Sequence, residues 1–256
     1  MPWNQYETTA EGGMVAGVTT IPGGSGAPIH AYVARPDGAG PFPSVLLLHH
    51  VPGWDEFYRE FARRFAEHGF MAIAPNLFEK YGAGTPDEVA AKAREDGYPS
   101  DAEVVADADA SIKWVKSQPQ SNGKVGVIGS CSGGRHSVLV ASSIPASVDA
   151  AVNLWGGNVV VPADRLTAKQ PTAVIDLVPN MTAPLLGLFG NDDMNPSPDH
   201  ANQLEAKLKE HNKTYQFHRY DGAGHGFFYY QGMAYRPQAA MDGWSKVEAW
   251  FKQHLA

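Results

Sequence analysis

The chain of 256 residues has one cysteine, Cys131, so no disulfide can form within it. It also lacks any apolar run near the ~18 residues that would span a bilayer. The run from Ser44 to Leu48 meets His49 and His50 at once. Positive charge is in deficit: 20 Lys and Arg against 27 Asp and Glu leave a net charge of -7, which argues against a surface built to neutralise phosphates. Charged residues are 18% and hydrophobic residues 43%, a balance that excludes disordered, collagen-like and coiled-coil chains. No basic start followed by an apolar stretch and a small-residue cleavage site precedes the fold. The expectation is a cytoplasmic protein without a membrane or nucleic-acid partner. With no repeat, linker or low-complexity tract, residues 1–256 are expected to form a single domain.

What the chain does have is 27 Gly and 19 Pro, many for a helical bundle and suited to numerous tight strand-helix joints. Strand and helix patterns alternate. Short β-branched or alternating runs cover Met14 to Ile21 and Ile29 to Arg35. The continuous apolar run Ser44 to His49 reads as a central strand covered on both faces. Phe57, Phe61, Phe65 and Ala66 recur at helical spacing, with Gly69 placed to end the helix. Further strands are predicted over Phe70 to Ala74, Lys124 to Ile128, Ala150 to Leu154, Leu185 to Phe189 and Thr214 to Tyr220. Helices are predicted over Asp101 to Ser117, after Ser132, over Pro198 to His211 and from about Ala239 to His254. That order predicts an α/β fold with a mostly parallel sheet and helices on both faces. Tyr81 to Ser100 and Gly156 to Ala183 read as irregular excursions over one end of the sheet, where sites are built.

The strongest chemical signal is Val125-Gly-Val-Ile-Gly129-Ser130-Cys131-Ser132-Gly133-Gly134, an apolar strand running into small-x-nucleophile-x-small and then a helix. A sharp strand-to-helix turn strains its central residue, and side chains at 129 and 133 would collide with neighbouring backbone. Cys131 is thereby thrust out at the tip, at a helix N-terminus that favours a thiolate. An acid and a histidine are expected on loops after later strands, because parallel strand ends converge on one edge. Gly190-Asn191-Asp192-Asp193 follows one such strand, and Asp221-Gly-Ala-Gly224-His225-Gly226-Phe227 follows another. His225 is the candidate base and Asp192 is preferred over Asp193 as the acid.

The residues Gly129-Ser-Cys131-Ser-Gly-Gly134, His49-His-x-Pro-Gly53, Pro75-Asn-Leu-Phe78, Gly190-x-Asp192-x-x-x-Pro196 and Gly224-His225-Gly226-Phe227 resemble the dienelactone hydrolase family (carboxymethylenebutenolidases) within the α/β-hydrolases. The resemblance implies an α/β-hydrolase fold and a Cys131, Asp192, His225 triad that hydrolyses a small ester or lactone through a thioester, without metal or organic cofactor. It also implies an oxyanion hole from the backbone N–H groups of Ser132 and Val51. Family members acting on dienelactone carry a glutamate where His50 aligns, an arginine at the place of Lys80 and another at that of Tyr229. In them the glutamate holds the thiol and the arginines grip the substrate carboxylate. His50, Lys80, Tyr229 and Trp155 are therefore expected to line the substrate pocket, with a preference for neutral esters. A broad arylesterase or thioesterase on the same triad is the enzymatic alternative, and a non-catalytic small-molecule binding module the alternative from another class. His49 and His50 are not expected to share a metal ion, because adjacent strand residues point to opposite faces.

Overall fold

The computed structural model describes residues 13–256. Their centre is one sheet of eight strands: β1 (Met14–Pro22), β2 (Pro28–Pro36), β3 (Phe42–Leu48), β4 (Met71–Pro75), β5 (Ser121–Ser130), β6 (Ala150–Leu154), β7 (Leu185–Gly190) and β8 (Tyr215–Tyr220). Their order across the sheet is β1-β2-β4-β3-β5-β6-β7-β8. β1 pairs antiparallel with β2, and β2 antiparallel with β4; the strands from β4 across to β8 are parallel. The chain steps from β3 to β4 in one direction and then returns past β3 to β5. That reversal opens a crevice between the C-terminal ends of β3 and β5, the usual place for a ligand in an open parallel sheet.

Six helices connect these strands: α1 (Glu56–Glu67), α2 (Pro86–Glu95), α3 (Asp101–Lys116), α4 (Ser132–Ser143), α5 (Pro198–Glu210) and α6 (Pro237–Leu255). The period-two alternation of a strand shows how they divide. Leu46 and Leu48 of β3 join a core with Val104 and Ile112 of α3, Val138 of α4 and Leu204 of α5. Val45 and Leu47 join the opposite core, with Phe61 and Phe65 of α1 and Trp244, Val247 and Phe251 of α6. Both faces of the central strands are thus dry, which is why they read in sequence as unbroken apolar runs.

The helix starts are equally local in origin. Ser100, Thr85 and Ser197 cap α3, α2 and α5, each side-chain oxygen accepting from the N3 backbone N–H. Two ends of the site-bearing region are tied by a bidentate ion pair: Arg135 in α4 donates from Nη1 and Nη2 to the carboxylate of Asp101, at 2.6 and 2.8 Å. Arg135 also donates from Nε to the Asn158 carbonyl at 3.2 Å, so three of its five N–H groups are committed to the scaffold.

Candidate active site

Cys131 lies between β5 and α4 with φ +57° and ψ −123°, a conformation that an L-residue holds only when its surroundings impose it. Two backbone bonds do so. The Cys131 N–H donates to Leu154 O at 3.1 Å, and its carbonyl accepts from the Arg135 N–H at 3.2 Å. The flanking glycines are required by space: a Cβ on Gly129 would lie 2.2 Å from the Gly133 carbonyl oxygen, and one on Gly133 would lie 1.9 Å from that of Leu48. Gly133→Ala is therefore expected to destabilise the fold by more than ~2 kcal/mol, since backbone on both sides blocks relaxation. Urea denaturation against the native protein checks this.

His225, in the loop after β8, donates from Nδ1 to Oδ2 of Asp193 at 2.9 Å and lies near enough to Cys131 for the sulfur to act on its ionisation. The expected acid was Asp192. The structure corrects this: Asp193 is the carboxylate at the imidazole, buried at 4% exposure, while Asp192 is exposed. The loops after β7 and β8 continue the strand pairing, Asn191 N–H donating to Tyr220 O at 2.9 Å and Asp192 N–H to Ala223 O at 3.0 Å. The chain turns here, Asp193 N–H donating to Gly190 O at 3.4 Å, and Asp193 comes out of that turn on the buried side. Asp193 Oδ1 is held by the Asn195 N–H at 2.9 Å, which fixes the carboxylate plane.

Burial would lower the His225 pKa, but the hydrogen bond to Asp193 and the nearby Cys131 sulfur outweigh it and lift the imidazole from 6.5 to about 10. The folded protein therefore holds this proton more tightly than the unfolded chain does. The resulting stabilisation is complete below pH 6.5 and is lost as the pH rises to about 10. Over that window the melting temperature of the native protein should fall more steeply than that of His225→Ala.

A cavity of about 460 Å³ opens onto Cys131, and Ser132, Val51, Asp193 and His225 also line it. Its outer wall comes from the long excursions: Tyr98 and Pro99 precede α3, Gly157, Asn158 and Gln170 follow β6, and Met194, 86% exposed, stands at the rim. Arg135 and His136, on the first turns of α4, line it too. Ser132 opens the helix, so its N–H has no acceptor within the helix.

None of the four residues expected in the pocket lines this cavity. Lys80 borders a separate cavity of about 530 Å³ that contains neither Cys131 nor His225, and its ammonium is bound to Glu103 at 2.7 Å. Trp155 is buried in the core against Phe227 and Phe228. His50, buried, and Tyr229, half-buried, lie behind the elbow in a continuous hydrogen-bonded chain. The Ser130 N–H donates to the Tyr58 oxygen at 3.3 Å, and Tyr58 Oη lies 2.8 Å from Ser130 Oγ. Ser130 Oγ lies 2.6 Å from Tyr229 Oη, which bonds His50 Nδ1, and His50 Nε2 reaches Asp55 Oδ2 at 2.7 Å. The terminal carboxylate only accepts, which sets the order: His50 donates to Asp55, Tyr229 to His50, Ser130 to Tyr229 and Tyr58 to Ser130. This chain clamps the residue just before Cys131. His49 is spent equally, on the His50 carbonyl at 2.9 Å and the Leu77 N–H at 3.1 Å, and burial lowers its pKa to about 4. No cluster of three metal-ligating side chains occurs among the described residues.

Sequence reasoning ranked Asp193 second to Asp192 and missed His136, Tyr98 and Gln170, which are carried to the cavity by the course of the chain.

A mostly parallel sheet whose order reverses at β3 and β5, with a cysteine at positive φ after β5 and a carboxylate-bound histidine after β8, defines an α/β-hydrolase. The chain belongs to the dienelactone hydrolase family, whose model matches residues 29–255, and is accordingly a hydrolase of ester or lactone bonds. It is 32% identical over 255 residues to a protein of Methylorubrum extorquens named as a carboxymethylenebutenolidase, with 96% of this chain and 84% of that one covered. A protein of the same name from Escherichia coli K12 is 32% identical over 257 residues, covering 96% and 90%. A crystal structure described as a dienelactone hydrolase of Klebsiella pneumoniae superposes with a TM-score of 0.86 at 32% identity, covering 94% of this chain and 99% of that one. The Pyrococcus horikoshii acylaminoacyl peptidase shares the fold at a TM-score of 0.75 and 14% identity, over 98% of this chain and 43% of that one.

Proposed function

We propose that this chain hydrolyses small, uncharged carboxylic esters or lactones through a Cys131, His225, Asp193 triad and a thioester intermediate. The observation that carries the proposal is His225 bonded to Asp193 and set near a cysteine at the tip of a strained turn, at the floor of a cavity. With the proton resting on His225, the sulfur attacks the carbonyl carbon as thiolate. The N–H groups of Ser132 and Val51, both cavity-lining residues, receive the developing oxyanion on this reading. The imidazolium then gives its Nε2 proton to the leaving alkoxide, leaving a thioester and a neutral imidazole. Neutral His225 takes a proton from water as the oxygen attacks the thioester carbonyl, and the thiolate departs, restoring the resting pair. Asp193 keeps the Nδ1–H in place and steadies the imidazolium through both halves.

The test is interception of the thioester. After mixing with p-nitrophenyl acetate and acid quenching, intact-protein mass spectrometry should show one added acetyl group, mapped to Cys131 and missing from Cys131→Ser. Ester turnover with no adduct under single-turnover conditions would sink the covalent route. Absence of both turnover and adduct would instead favour a binding module.

Uncharged substrates follow from where the cations are. Among the described residues Arg135 is the only Lys or Arg on the cavity wall, and its guanidinium is engaged by Asp101 and Asn158. Lys80 faces elsewhere, and the Tyr229 hydroxyl is taken up by Ser130 and His50. The charge of Arg135 is already met by the Asp101 carboxylate, which weakens any grip on a substrate carboxylate. The specificity constant for p-nitrophenyl acetate should therefore exceed that for dienelactone, and a dienelactone value tenfold or more above it would overturn this preference.

A further inference from the structure

His136 lines the cavity one turn along α4 from Cys131, yet no protein group hydrogen-bonds its ring among the described residues, and its Nδ1 is buried without a partner. An unpartnered buried N–H costs more than an unpartnered buried lone pair, because the donor cannot be satisfied by relaxed geometry. The ring proton therefore belongs on Nε2, the ring nitrogen that is not enclosed without a partner. Burial, Arg135 and His49 together push the His136 pKa well below its usual value, which keeps the ring neutral and leaves one N–H donor on this residue of the cavity wall. Around it, Gln170, Asn158 and Asn195 add only uncharged polar groups to the wall. Asn158 and Asn195 are already bonded to each other at 3.2 Å.

We propose that His136 is a specificity-determining residue whose Nε2–H donates to an uncharged oxygen of the substrate other than those of the scissile ester. The substrate class is then an ester or lactone carrying an ether, hydroxyl or carbonyl oxygen in its acyl or alcohol part. This rests on the hydrolase function proposed above. A cavity that offers one fixed donor favours a substrate with an acceptor over its methylene isostere, because the isostere leaves the N–H bare.

The experiment compares isosteric pairs. In the acyl part, p-nitrophenyl methoxyacetate is set against p-nitrophenyl butanoate. In the alcohol part, 2-methoxyethyl acetate is set against butyl acetate. The ratio of the two kcat/KM values within each pair is measured for the native protein, for His136→Phe and His136→Leu, which remove the donor, and for His136→Gln, which keeps one. The ratio is the readout, so any general loss of activity and the intrinsic reactivity of each ester cancel. In one pair the native ratio should drop by about tenfold in His136→Phe and His136→Leu, the worth of one neutral hydrogen bond, and most of it should return in His136→Gln. Ratios unchanged within about twofold in both pairs, on that same scale, would overturn the proposal. If the native protein hydrolyses none of the four esters, the hydrolase function itself fails and the inference with it, so the two failures are told apart.

Discussion

Cys131→Ala and His225→Ala should each lower ester turnover by at least ~10³, and the double variant should lose little more than either alone, because the two groups act as one unit in acyl transfer. The melting temperature below pH 6.5 should separate the variants: His225→Ala loses the stabilisation from its raised pKa, whereas Cys131→Ala keeps the ion pair to Asp193. The acid is the informative position. Asp193→Asn keeps the size of the side chain but cannot hold the imidazolium, and its turnover should fall by ~10³ or more. Asp192→Asn, at an exposed side chain, should stay within about threefold of the native rate. Steady-state kinetics on p-nitrophenyl acetate decides the matter, and equal losses in both variants would mean that the loop after β7 turns over in solution.

The second large effect concerns stability. Arg135→Ala leaves the Asp101 carboxylate without its cation at a site where both side chains are largely shielded, at 4% and 12% exposure. Breaking a buried pair from one side costs about 3–5 kcal/mol, so the melting temperature should drop by roughly 10 °C. Asp101→Asn should be nearly as damaging, because it strands the guanidinium. The combined Arg135→Met and Asp101→Leu change should recover much of the loss, since well-packed apolar residues replace a buried ion pair at little cost. Calorimetry on the four proteins measures the coupling. If the double variant is as unstable as the sum of the singles, the pair contributes less than the fixed geometry around it.

Much of the architecture is legible in the residues. The unbroken apolar runs at Ser44 to Leu48 and Leu185 to Phe189 lie in β3 and β7, and β6 covers Ala150–Leu154 as its apolar run predicts. The short period of such runs and the glycines and prolines around them leave little freedom of assignment. α2 was not legible: the stretch from Tyr81 to Ser100 was expected to be irregular. Its helix buries only Ala90 and Ala93, too little apolar surface to make a pattern, although Thr85-Pro-Asp-Glu88 forms a complete capping box. At the site, Cys131 and His225 were legible because a strained turn and a glycine-flanked histidine leave local marks. The pocket wall was not. His50 and Tyr229 were expected to face the substrate, but both belong to the hydrogen-bonded chain that runs from Asp55 to Tyr58. Which side of a strand-end loop a polar residue faces depends on partners more than a hundred residues away, and one sequence carries no mark of them.

The edge position of β8 has a consequence for how the chain is made. Synthesis runs from the N-terminus, so Cys131 and its turn emerge from the ribosome well before His225. Until Tyr215–Tyr220 has emerged, β7 presents a bare backbone edge, although all six of its residues are buried in the finished protein. The α6 residues that cover one face of the sheet arrive later still. The nascent chain thus carries an unpaired apolar strand and a thiol without its imidazole at the same moment. This interval is when holding chaperones and low oxidant levels should matter most to its yield.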